Sequence, residues 1–342
     1  MAMALFGSVT CSGLVGTRPS SITLLLHLCF RRIPKQWAVE FAECRSVRQR
    51  QGTFGNSRQK RLLLASNGMK FVAEEERLPS QTILMRRVFP ASRRDDSFII
   101  RIDVGVNMSD LNFEAMPNKL VNYATLDGIA VIELSSDASG APLTETNDRS
   151  PNTYTHEMMS DLDDAIIKAR FDDDVSCIVL TGNGSSFFSA GASIQMLNSV
   201  TPGFKYNFCL HANETLSRLE QTSKLVVCAI NGHAVGGGLE IAMAADIRIA
   251  RKNSGKVGLP EINLGVLAGT GGTARLTRLI GKAKALEMMV TGELMSFEDA
   301  HAHNLINHIW EGDAADFRRD ILDWCSQFTL PNKATKAVGN IK

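Results

Sequence analysis

At 342 residues, with 44% hydrophobic and 21% charged residues, the chain has the length of about two domains and the composition of an ordinary globular protein that can bury a core. Disordered, collagen-like and disulfide-dense classes are excluded. The 37 basic and 36 acidic residues leave a net charge of +1, so bulk charge gives no reason to expect DNA or an anionic membrane as a partner. That balance conceals two pieces of opposite sign: residues 1–115 carry 17 Lys and Arg against 10 Asp and Glu, and residues 116–342 carry 20 against 26.

In chain order, the first feature is an apolar run at 22–30, about half the length that crosses a bilayer. No transmembrane helix is predicted. Arg31, Arg32 and Lys35 follow it in place of a small-residue cleavage site, which argues against a secretory signal. Residues 1–60 hold seven Arg and two Lys against Glu40 and Glu43, the composition of an organelle transit peptide. A mitochondrial matrix location is therefore the alternative to a cytoplasmic one. No stretch of 1–115 keeps a helical or strand period, and the region is expected to be a poorly ordered or targeting extension, or sequence upstream of a start at Met116. Seven cysteines (Cys11, Cys29, Cys44, Cys177, Cys209, Cys228 and Cys325) form no C-x-x-C pair. They read as reduced thiols, with Cys228 a small core residue inside the apolar run 225–230.

From Met116 the texture changes. Residues 128–134 read as a strand, and 154–170 as an amphipathic helix with Met158, Met159, Leu162, Ala165, Ile166 and Ala169 on one face. A short apolar strand follows at 177–180, of the kind buried on both faces in a parallel sheet. A helix around 207–220, a strand at 225–230, a helix from Gly238 and a strand at 247–250 continue the alternation. This pattern predicts an α/β layered fold with right-handed crossovers.

Two glycine-bearing turns follow buried strands and end where a helix begins: residues 187–194, Phe-Phe-Ser-Ala-Gly-Ala-Ser-Ile, and residues 231–240, Asn-Gly-His-Ala-Val-Gly-Gly-Gly-Leu-Glu. Such turns let backbone N–H groups approach a ligand, and the helix N-terminus adds positive potential. Glu240 stands on the first turn of an apolar helix and Glu261 follows Pro260. An acid in apolar surroundings has a raised pKa, and a pair of them can hold a water and move protons both ways. The bland alternative is a helix-dipole contact for Glu240 and a cap for Glu261.

Other motifs carry less. Residues 269–274 approximate the dinucleotide fingerprint but lack an acidic residue about twenty positions on at a strand end. Neither a Walker loop nor a G-x-S-x-G elbow occurs. His301 and His303, two apart on a predicted helix, point to different faces and read as surface residues, so no metal site is expected.

Four blocks, at 187–192, 231–242, 258–261 and 269–276, occur in the order in which residues 120–331 resemble the crotonase superfamily, specifically its enoyl-CoA hydratases. The resemblance implies a crotonase-like ββα spiral as the fold, with residues 116–330 as the catalytic domain. Residues 331–342 resemble the entry to a C-terminal helical segment, expected to be truncated here, with weakened CoA binding and assembly. The resemblance implies that the backbone N–H groups of Ala192 and Gly237 form an oxyanion hole for an acyl-CoA thioester. Glu240 and Glu261 would add water syn to a trans-2-enoyl-CoA, giving 3-hydroxyacyl-CoA in fatty-acid β-oxidation. Ala190, Ser193, Ile194 and Gln195 would line the substrate path. Residues 149–152 depart from the usual CoA-contacting loop. No separate cofactor is implied, because CoA is part of the substrate, and the expected assembly is a homotrimer or hexamer. The alternatives are double-bond isomerisation or another enolate chemistry on the same fold, or a non-catalytic RNA-binding relative. The retention of two glutamates favours hydration.

Overall fold

The computed structural model describes residues 111–143 and 148–342 in full, together with the backbone of four strands between 61 and 104. The chain divides into two units, Met1–Val106 and Asn107–Lys342. In the first, β1 (Arg61–Ser66), β2 (Met69–Glu75), β3 (Gln81–Val88) and β4 (Ile99–Val104) form an antiparallel meander in sequential order. No sustained period marks these strands in the sequence. Charged residues such as Arg86 and Arg87 interrupt the apolar alternation that would have marked a strand. The transit-peptide composition and Cys11, Cys29 and Cys44 lie outside the described residues.

The second unit begins ahead of the expected boundary at Met116. Its strand β5 (Glu114–Ala115) pairs antiparallel with β6 (Val121–Leu126), which pairs antiparallel with β7 (Ile129–Leu134). Then β8 (Cys177–Gly182) joins β7 in parallel. The chain next leaves this sheet for a second one through β9 (Phe187–Ser189) before entering a helix. The same move recurs twice: β10 (Leu225–Ile230) is followed by β11 (His233–Val235), and β12 (Ile247–Arg251) by β13 (Lys256–Gly258). Finally β14 (Met295–Ser296) closes the small sheet, in the order β14-β13-β11-β9. Strand β15 (His308–Trp310) closes the large one, in the order β15-β12-β10-β8-β7-β6-β5. The expected ββα spiral is the fold of this unit.

The helices are α1 (His156–Phe171), α2 (Ile194–Ser199), α3 (Pro202–Glu220), α4 (Gly237–Met243), α5 (Gly272–Ile280), α6 (Lys282–Thr291), α7 (Phe297–Ala302), α8 (Ala314–Ser326) and α9 (Thr335–Ile341), with a 3-10 helix at Pro260–Leu264. Both faces of the large sheet are covered. Ala130, Ile132, Ile178, Leu180, Val226 and Cys228 face one core that includes α1 and α3. Ile129, Val131, Val179, Val227 and Ala229 face a second core against Phe317, Ile321 and Cys325 of α8. Burial on both sides is why these strands read as unbroken apolar runs instead of alternating ones. Cys177, Cys228 and Cys325 are buried free thiols. No helix among the described residues is long and apolar enough to cross a membrane.

All six apolar residues expected on one face of α1 are buried, and so is Asp161 among them. Its carboxylate accepts from Asn118 N (2.9 Å), Asn118 Nδ2 (2.9 Å) and Leu120 N (3.0 Å), which ties α1 to the turn before β6. Replacing it leaves the buried Leu120 N without an acceptor and removes both Asn118 bonds to the helix carboxylate. Asp161→Ala is expected to cost about 3 kcal/mol, read as a lower urea midpoint with an unchanged m-value.

Candidate active site

Helix α1 begins two residues later than expected, because Tyr154 is spent on a different contact. It forms an isolated parallel bridge with Ala192. Tyr154 N donates to Gly191 O (3.0 Å) and Ser193 N donates to Tyr154 O (2.9 Å). A parallel bridge of this kind uses the groups on either side of Ala192 and turns Ala192's own N–H away from Tyr154. The second turn follows β11 and opens α4 at Gly237, whose N–H is one of the helix's first donors and has no partner inside the helix. The two turns touch: a Cβ on Gly191, whose φ is +88°, would lie 2.8 Å from Gly237 N. The N–H groups of Ala192 and Gly237 are thus brought to one place, and no described residue accepts from either.

Glu240 lies on the first turn of α4 and is 2% exposed. Its Oε1 accepts from Thr270 N (2.8 Å), in the loop before α5, and from Gly272 N (2.7 Å), the first residue of α5. Burial pushes its pKa up to about 7; the Gly272 and Thr270 hydrogen bonds oppose that rise and the charge of Glu261 adds to it. Glu261 opens the 3-10 helix, with Oε1 3.1 Å from where a Cβ on Gly236 would sit. Its Oε2 is buried with no hydrogen-bond partner among the described residues, and burial raises its pKa too. The charge of Glu261 adds to the rise at Glu240, and burial pushes both carboxyls towards their neutral forms.

The block at 269–276 has a visible task that the sequence did not assign. Its N–H groups hold Glu240, and the loop is itself braced. Arg275, 7% exposed, donates to Thr270 O (2.8 Å) and makes a two-pronged pair with Glu220 (Nε to Oε1 and Nη2 to Oε2, both 2.8 Å). Asn213 Nδ2 reaches Gly269 O (2.7 Å). Tyr154, 1% exposed, places its hydroxyl against Gly237, where a Cβ would overlap it, and 3.1 Å from Thr270 Oγ1. Tyr154, Thr270, Arg275 and Glu220 were not singled out from the sequence; Arg275 and Thr270 fall inside a recognised block, whereas nothing local marks Tyr154 or Glu220.

The other anticipated residues divide. Ala190 sits in the first turn, its N–H donating to Pro151 O (2.8 Å). Ile194 is 54% exposed at the start of α2, and Gln195 beside it is exposed. Ser193, expected along the same path, is buried. Its hydroxyl donates to Ser139 O (3.1 Å) and caps α2 by accepting from Met196 N (3.3 Å), so its side chain meets no open surface. The atypical loop at 149–152 is knitted in by Ser150 and Asn152: Asn152 Nδ2 donates to Asn183 O (2.9 Å) and Phe187 O (3.1 Å). His301 directs Nδ1 to Ile306 O (2.9 Å), and His303 ends α7.

With this geometry, residues 141–340 match the sequence profile of the enoyl-CoA hydratase/isomerase family. The chain belongs to that family. It is 34% identical over 178 residues to the short-chain-enoyl-CoA hydratase of Clostridium acetobutylicum, covering 52% of this chain and 68% of that one. It is 39% identical over 170 residues to a probable enoyl-CoA hydratase of Bacillus subtilis, covering 49% and 65%. Among solved structures, an enoyl-CoA hydratase from Geobacillus kaustophilus superposes with a TM-score of 0.59 at 38% identity, over 67% of this chain and 81% of that one. The family's matched stretch contains all four glycine and glutamate blocks of the site.

Proposed function

We propose that this protein is an enoyl-CoA hydratase that adds water syn across the double bond of a trans-2-enoyl-CoA. The observation that carries this reading is the meeting of the buried Glu240 and the half-buried Glu261 with two unengaged N–H groups. The thioester carbonyl accepts from Ala192 N and Gly237 N, and Ala190, Ile194 and Gln195 flank the path of the CoA arm. Glu240 takes a proton from the water as its oxygen bonds to the β-carbon. The π electrons move to the carbonyl oxygen, and the two N–H donors stabilise the enolate charge as it grows, typically by a few kcal/mol per donor. Glu261 delivers its proton to the α-carbon, and since both acids act from the same side the addition is syn. CoA enters as part of the substrate and no step calls on a separate cofactor. Exposed Ile262, Leu264, Val266 and Leu267 are consistent with assembly with further copies, as a homotrimer or hexamer.

Loss of enoyl-thioester absorbance from crotonyl-CoA measures the reaction, with Glu240→Ala and Glu261→Ala as controls. Undiminished turnover in both variants would overturn the reading. The base must be ionised, and Glu240 holds its proton up to about pH 7. The acid limb of kcat/KM is therefore expected near neutrality instead of near pH 4 to 5, as macroscopic values of the carboxylate pair. A profile flat from pH 5 to 8 would contradict it.

A further inference from the structure

We propose that Asn213, on α3, is a positioning residue for Glu240: acting through the one peptide group that joins Gly269 to Thr270, it keeps the Thr270 N–H aimed at the carboxylate. The geometry stands by itself, and the consequence for turnover rests on the hydratase reading. Both ends of that peptide are engaged. Its N–H donates to Glu240 Oε1 (2.8 Å), and its carbonyl, Gly269 O, accepts from Asn213 Nδ2 (2.7 Å). Asn213 Nδ2 also donates to Cys209 O (2.9 Å), one turn back on the same helix. A side-chain amide nitrogen has two hydrogens. The two carbonyls use both of them and fix which way the amide faces.

A trans peptide is planar, with its N–H and C=O pointing in opposite directions. A donor that holds the oxygen therefore sets the direction of the hydrogen, and it polarises the N–H that Glu240 receives. This control matters here because residues 269, 271 and 272 are glycines, which lack the Cβ that would restrict the peptide planes. The second donor to Glu240, Gly272 N, belongs to the peptide whose carbonyl, Gly271 O, accepts from Arg275 N (3.0 Å), and Arg275 Nη1 holds Thr270 O (2.8 Å). Helix α5 thus secures the Gly272 half of the clasp from within itself. The Thr270 half depends on a side chain from α3.

The charged and titratable groups around Glu240 come from several elements. Glu261, from the 3-10 helix, opposes ionisation. Burial keeps the Cys209 thiol of α3 and the Tyr154 phenol ahead of α1 in their neutral forms. Arg275, from α5, is committed to Glu220 and the Thr270 carbonyl. His233, on β11, stacks on Phe187 and accepts from Lys256 N. Asn213 is uncharged, so exchanging it for another uncharged residue leaves all of these charges as they are.

Leucine is close to asparagine in size and suits a helix, but it donates nothing. Without the Asn213 donor the 269–270 peptide is free to turn, and Glu240 loses one of two N–H groups that favour its charged form. Asn213→Leu is expected to move the acid limb of kcat/KM upward, with a loss of roughly threefold to tenfold at pH 6 that shrinks towards pH 9. Two readouts need no turnover. The 13C titration of the Glu240 carboxyl, assigned by its loss in Glu240→Gln, should move upward in Asn213→Leu. The same variant should lower the melting temperature more at pH 8.5 than at pH 5, because only the charged carboxylate misses the donor, and combination with Glu240→Gln should abolish that pH dependence. An upward titration in Asn213→Leu supports the inference even if wild type hydrates no enoyl-CoA, in which case only the hydratase reading fails. A Glu240 titration unchanged in Asn213→Leu makes Asn213 a helix-packing residue and overturns the proposal, whatever the variant does to stability.

Discussion

Glu240→Gln is expected to lose about three orders of magnitude in crotonyl-CoA hydration and, at the same time, to become more stable than wild type above pH 7. Glutamine keeps an oxygen for Thr270 N and Gly272 N and removes only the charge. In the wild type the buried carboxyl holds its proton to about pH 7, against 4.5 for the free side chain. Between those values the unfolded chain has released the proton and the folded chain has not. Wild-type stability is therefore highest below pH 4.5 with respect to this group and falls as pH rises through 7, by up to about 3 kcal/mol. The amide does not titrate, so the two proteins should melt alike near pH 4.5 and diverge by pH 8, with the inactive variant melting higher. Equal melting temperatures at both pH values would mean that folding does not bury a charge at this position.

Gly237→Ala carries the second large effect, and for a steric reason. Gly237 does not have a left-handed backbone, so alanine is conformationally allowed there. What forbids it is the Tyr154 ring, since the new Cβ would overlap the hydroxyl and lie 2.6 Å from ring carbons. Either the ring or the start of α4 must move, at about 1 to 3 kcal/mol for overpacking in a full core. Displacing α4 also displaces the Gly237 N–H from its position beside the Ala192 turn. A loss of about 100-fold in kcat is expected, as for removal of one oxyanion donor. Tyr154→Ala combined with Gly237→Ala should recover stability relative to the sum of the single changes, a coupling measurable by a double-mutant cycle. Additive effects would show that the two residues do not press on each other.

The two variants probe features of different legibility. The glutamates and the glycine turns lie in short contiguous stretches, and each could be read by chemistry and spacing alone: a strand that ends, glycines that admit a close approach, an acid in an apolar turn. Strands β7, β8 and β10 were equally plain, because burial on both faces leaves an unbroken apolar run. By sequence, Tyr154 reads as the first residue of a helix. Its neighbours fit a helical period, and the bridge to Ala192 that removes it from the helix involves residues far along the chain. Ser193 followed the same logic in reverse: a polar residue beside a binding turn looks available until the fold buries it as a helix cap.

The α/β alternation of the second unit, the two turns and the pair of acids are legible in the linear chain, because period, turn chemistry and apolar runs are properties of neighbouring residues. The tertiary structure alone decided that β9, β11 and β13 leave the large sheet for a second one, since strands this short carry no period of their own. It alone decided that Thr270, 30 positions from Glu240 and 116 from Tyr154, stands between them. The raised pKa of Glu240 belongs to the same class. Desolvation and hydrogen bonding act through space, and the groups that set this carboxyl's charge come from parts of the chain that only the fold brings together.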